Sequence, residues 1–137
     1  MKYIIIISVV FLAACAPVTK ETLRQDPAYI SVFSVNQPYQ EVFDRLLKKS
    51  RSCYLDKPTS AQLTLVGNRN NGDRTANITL ESVYAMAEHD VLLMLEIQYE
   101  QDDQTKVRVY ASNKRDKRKV DIIEEWVSDL RNQIGCA

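Results

Sequence analysis

The apolar residues of this chain recur with two periods, and the points where the period changes divide it into elements. Residues 28–35, AYISVFSV, are rich in β-branched and aromatic side chains and predict a strand. Asn36-Gln37-Pro38 then opens a helix, because proline suits a first helical position, where its missing N–H costs nothing. Tyr39, Val42, Phe43, Leu46, Leu47, Ser50 and Cys53 follow at three- and four-residue steps. Gln40, Glu41, Asp44, Arg45, Lys48, Lys49 and Arg51 fill the other side. The pattern is that of an amphipathic helix with one buried stripe. Residues 55–60, LDKPTS, interrupt it.

Period two takes over next. Residues 61–67 and 75–86 predict strands joined at Asn71-Gly72, a strong short hairpin signal. With those two residues as the turn, Leu65 faces Ile78, Leu63 faces Leu80, Thr64 faces Thr79 and Gln62 faces Glu81. A one-residue slip would destroy this sorting of apolar from polar. A second hairpin over Ala87-Glu88-His89-Asp90 sets Met86 opposite Val91, Tyr84 opposite Leu93, Ser82 opposite Leu95, Leu80 opposite Ile97 and Ile78 opposite Tyr99. Gln101-Asp102-Asp103-Gln104 predicts a bend, and residues 106–112 a further strand with Val107, Val109 and Ala111 facing inward. After the charged loop 113–119, Val120, Ile123, Trp126, Val127, Leu130 and Ile134 form the stripe of a second helix over 120–134, with Gly135 as its stop. The expected fold is α+β: a two-layer β-α-β(4)-α domain, an antiparallel sheet with both helices on one face.

That element order, with Pro38 leading into Tyr39-Gln40-Glu41-Val42-Phe43, resembles the helix-grip, or TBP-like, fold. Within that group, domains of an outer-membrane lipoprotein of the β-barrel assembly machinery act as interaction modules, and START-like proteins hold apolar ligands between sheet and helix. The present chain departs from the START-like pattern in having fewer strands and a shorter C-terminal helix. It also resembles small proteobacterial lipoproteins with a Pro-Tyr-Gln-Glu-Val helix start and a following cysteine, a likeness that implies no activity.

The N-terminus adds a location. Lys2 precedes the apolar run Ile4 to Leu12, and Leu12-Ala13-Ala14-Cys15 follows. A charged segment, a short apolar segment and small residues are the parts of an export signal. The run is too short for a spanning helix, which needs roughly 20 residues. Leu12-Ala13-Ala14-Cys15 resembles the lipobox of bacterial lipoproteins. The resemblance implies removal of residues 1–14 and a covalent lipid on Cys15. Because Ala16 is not the aspartate that retains lipoproteins at the inner membrane, it also implies anchoring in the outer membrane, on its periplasmic face. Residues 15–27 then read as lipidated cysteine and tether, or alternatively as an ordered arm packed on the body, and 28–137 as one domain.

Charge and cysteine content refine this picture. The 137 residues carry 18 basic and 18 acidic side chains, so no global field draws nucleic acid. Cys53 and Cys136 are the remaining cysteines, and in an oxidising compartment an even pair reads as one disulfide, with two free thiols as the alternative. Such a bridge is worth about 4 kcal/mol on chain-entropy grounds. Two cysteines and one histidine without clustered spacing predict no metal site, and no other cofactor is implied. Three glycines leave no phosphate-binding loop, and no nucleophile motif stands out. His89 reads as a solvated turn residue. Glu81 and Glu96 are expected to face each other on the outer face, near Arg108, as solvated or paired carboxylates rather than an acid–base couple. The chain is therefore expected not to be an enzyme.

Two surface features remain. Lys114, Arg115, Lys117, Arg118 and Lys119 are a basic run, read either as a solvated loop or as a contact for anionic partners. Val83, Ala85, Leu92 and Met94 fall on the outer sheet face. They form either a partner surface or a patch covered by the N-terminal tether, the first strand or a neighbouring loop. The expected function is a binding or scaffolding lipoprotein that joins the membrane through its lipid and docks on an envelope protein. The alternative is a small carrier of lipid or another hydrophobic ligand between sheet and helices.

Overall fold

A computed structural model of the chain describes residues 16–56, 62–83, 89–129 and 133–136. In chain order it comprises helix α1 (Lys20–Gln25), strand β1 (Tyr29–Asn36), helix α2 (Tyr39–Tyr54), and strands β2 (Gln62–Asn70), β3 (Thr75–Val83), β4 (His89–Tyr99) and β5 (Gln104–Ala111). A 3-10 turn at Lys114–Asp116 then leads into helix α3 (Lys117–Ser128). The strands form one antiparallel sheet in the order β1-β5-β4-β3-β2, a four-strand meander with β1 added beside β5. The expected α+β architecture holds, with α2 and α3 on one face.

That face carries the main core. Ile78, Leu80, Leu93, Leu95, Ile97, Val107 and Val109 from the sheet meet Val42, Leu46, Val120, Ile123 and Trp126 from the helices. Burying each such side chain contributes roughly 1.5–3 kcal/mol. Arg45 donates to the carbonyl of Val127 at 2.6 Å, tying α2 to the end of α3. The buried Thr105 hydroxyl donates to the Gln37 carbonyl at 2.6 Å and fixes the entry to α2. At Gly67 an added Cβ would stand 2.9 Å from Leu47 Cδ1, so α2 lies close over β2.

The hairpin registers differ from those expected. Leu65 pairs with Leu80, Leu63 with Ser82 and Thr64 with Glu81, a slide of two residues. The turn is four residues long, not two. The Asn70 side-chain oxygen accepts from the amides of Gly72 (3.0 Å) and Asp73 (3.3 Å), and Arg74 takes the positive φ of 52°. In the second hairpin Ile78 pairs with Leu95 and Leu80 with Leu93, a slide of four. The expected pairs at Tyr84 and Met86 lie outside the described residues. Both slides are even, so each side chain keeps its face as far as Leu80.

Beyond Leu80 the pairing is irregular. Glu81 stands opposite Val91, and Leu92 is the extra residue of a β-bulge. The second helix starts three residues earlier than expected and ends at Ser128, where the Asp129 amide donates to Glu125. Gly135 is thus not its stop, and Leu130 lies outside the described residues. Cys53 and Cys136 stand at disulfide distance, S–S 2.03 Å. The bridge joins the last turn of α2 to the segment after α3.

Candidate interaction surface

Residues 16–27 do not form a plain tether. Thr19 caps α1: its hydroxyl accepts from the Thr22 amide, and the Thr22 hydroxyl accepts from the Thr19 amide. The helix lies on the sheet face opposite α2 and α3. Leu23 is buried there with Val91, Met94 and Tyr110, and Val18 packs beside them. Val91 reaches this face because the bulge at Leu92 reverses the alternation of β4. Just before α1, the Val18 amide donates to the Asp90 carboxylate at 2.8 Å, and its carbonyl accepts from the Val91 amide at 2.9 Å.

This arm decides the fate of the outer-face patch. Met94 is 0% exposed, and Val83 and Leu92 are half-buried. The arm covers Met94, which is a core residue packed with Leu23, whereas Val83 and Leu92 lie outside that cluster. Ala85 lies outside the described residues. Among the described residues, the most exposed large apolar side chains are Ile30, 44% exposed, and Val32, 50% exposed, on edge strand β1. The sequence signal for them is the strand Tyr29–Val35 itself, which is apolar at odd and even positions alike.

The carboxylates expected to face each other are apart. Glu81 stands opposite Val91 and meets His89 Nδ1 at 3.3 Å. Glu96 stands opposite Asn77, bonded by Arg24 Nε at 2.5 Å and by the Tyr110 hydroxyl at 2.9 Å. The Glu96 contact raises the Arg24 pKa, and burial, then the same hydrogen bond, raises that of Tyr110. Glu96 thus clamps α1 to the sheet. Arg108 donates instead to Gln98 at 3.4 Å.

The basic run is not a loop throughout. Asn113 caps the 3-10 turn, and Lys117, Arg118 and Lys119 form the first turn of α3. Positive charge at a helix N-terminus opposes the helix dipole. Two of the three are compensated: Lys117 by Asp121 at 2.5 Å, and Lys119 by Asp116 at 2.6 Å. Lys117 lowers the Asp121 pKa and is itself raised. Lys117 also stands 5.2 Å over the Tyr29 ring. Lys114, Arg115 and Arg118 are exposed, and among the described residues no carboxylate meets them.

At the other end of the sheet, a groove of about 340 Å³ is lined by Tyr39, Arg74, Tyr99 and Asp103 among others, with Arg74 held 4.7 Å over the Tyr99 ring. Cys15 lies outside the described residues. Among those described, no helix is long and apolar enough to cross a membrane, and no cluster of three metal-ligating side chains is present. Compared by sequence, the chain matches no protein-family model and no curated protein.

Proposed function

We propose that this chain is an outer-membrane lipoprotein, anchored through lipid on Cys15, whose domain serves as a non-enzymatic binding or scaffolding module for another envelope component. The observation that carries the reading is Leu12-Ala13-Ala14-Cys15, set directly before an arm that is ordered from its first residues. The edge strand β1 supports a docking role. It contains no charged residue and no proline, the usual protections of a free edge, and it presents Ile30 and Val32 outward. The carrier reading is less favoured. Leu46, Ile78, Leu95, Val107 and Ile123 are fully buried between sheet and helices, and they fill the space a carried lipid would need.

Two measurements on the native protein test the reading. The mass of the N-terminal peptide should show acylated Cys15, with the protein in the outer-membrane fraction, and Cys15→Ser should abolish both. A photo-crosslinker at Val32 should capture one envelope protein in intact cells, whereas a crosslinker at Glu124, on the far side of α3, should not. Unmodified Cys15 would sink the anchor, and indiscriminate capture at both positions would sink the module.

A further inference from the structure

We infer that Lys114, Arg115 and Arg118 dock the domain on an anionic bilayer, at the point where the N-terminal arm delivers its anchor; this rests on the reading of Cys15 as the lipidated residue. The geometry comes from two neighbouring residues of β4. The Val91 amide donates to the Val18 carbonyl at 2.9 Å, and the Leu92 carbonyl accepts from the Ser112 amide at 3.1 Å and its hydroxyl at 3.2 Å. The arm and the start of the basic segment therefore leave the sheet side by side. Three residues take the chain from Val18 back to Cys15, and at full extension they span about 11 Å. A lipid on Cys15 thus holds its bilayer close to Ser112, where a free 12-residue tether over 16–27 would have let the domain roam.

The charges at this corner are unequal. Asp90 is engaged by the Val18 amide, Asp116 by Lys119, and Asp121 by Lys117. Lys114, Arg115 and Arg118 are left exposed. Because the neutral amide leaves the charge of Asp90 in place, the five basic and three acidic groups of this corner keep an excess of two positive charges near the point where the arm leaves the sheet. A tethered surface is present at high effective concentration, so weak contacts there are strengthened without any further partner. Three basic groups near an anionic surface shift the docked-to-undocked ratio by about a hundredfold.

The test uses the full lipidated protein in two vesicle types, pure phosphatidylcholine and an equal mixture of phosphatidylcholine with phosphatidylglycerol. Amide hydrogen exchange over residues 112–118 is followed by mass spectrometry. Slower exchange in the mixed vesicles, removed by molar salt, is expected. A variant carrying Lys114→Gln, Arg115→Gln and Arg118→Gln should exchange equally in both. All three side chains are exposed, and an unchanged Tm confirms that the variant is folded. Equal exchange of the natural chain in both vesicle types, or protection retained in the folded variant, overturns docking while leaving the anchor intact. The intact mass of the same sample reports the anchor separately, and absence of lipid on Cys15 overturns both.

Discussion

The indole nitrogen of Trp126 donates to the carbonyl of Gly135 at 3.0 Å, and the next residue, Cys136, is bridged to Cys53. Trp126 also packs at 6.1 Å from the Tyr54 ring, whose phenol pKa burial pushes well above its ordinary value. The tail is thereby fixed at two adjacent residues, Gly135 to α3 and Cys136 to α2. Cys136→Ser should cost about 4 kcal/mol, read as a lower urea midpoint, and should alter Trp126 emission before global unfolding. Identical midpoints for the native and Cys136→Ser proteins would count against a stabilising bridge.

Leu23 seals the second core. Leu23→Ala removes its contact with Met94, Val91 and Tyr110 and should cost about 2–3 kcal/mol, the lower part of the range for buried leucine truncation. Because α1 has just six residues, the loss should appear first as faster hydrogen exchange at the Val91 amide and binding of an apolar dye. Unchanged exchange there would mean that α1 holds without Leu23.

Asp90 fastens the arm. Asp90→Ala leaves the Val18 amide without its acceptor, a cost of about 1 kcal/mol. Limited proteolysis should cut before Lys20 faster, while the Tm of the main core barely moves. A Tm drop as large as that for Leu23→Ala would show that Asp90 supports the whole domain.

Asp121 accepts from Lys117 and from the Tyr29 hydroxyl at 3.0 Å, which holds its carboxyl below the ordinary aspartate range. It is more readily ionised folded than unfolded, so its contribution is present above the ordinary aspartate midpoint and is lost as pH falls through the lowered one. An NMR titration should place its midpoint below that of a free aspartate, and Lys117→Ala should move it upward. No movement would assign the shift to another cause.

Much of this architecture is legible in the residue pattern, for a definable reason. Period two sorts side chains to two faces, and that sorting survives any even slide. The pattern therefore identifies Ile78, Leu80, Leu93 and Leu95 as core residues while leaving their partners open by two or four positions. What fixed the register was local chemistry at a turn: the Asn70 side chain capping Gly72 and Asp73. The bulge at Leu92 was not legible, since the run Val91 to Leu95 is apolar at every position and hides the phase change. Nor was α1, because six residues are too few to show a helical period. Its signal was the reciprocal Thr19–Thr22 capping pair. The candidate surface shifted accordingly, from Met94, which α1 covers, to Ile30 and Val32.

The pairing of β1 with β5 has a temporal side. Strand Tyr29–Asn36 is made well before Gln104–Ala111, the strand with which it pairs. Until then Phe33 has no wall to rest on, and Ile30 and Val32 sit on a strand paired on neither side. A chain emerging from its N-terminus must therefore wait until β2, β3, β4 and β5 have followed before the sheet closes. The bridge at Cys136 comes later still, so it can lock only what has already been assembled.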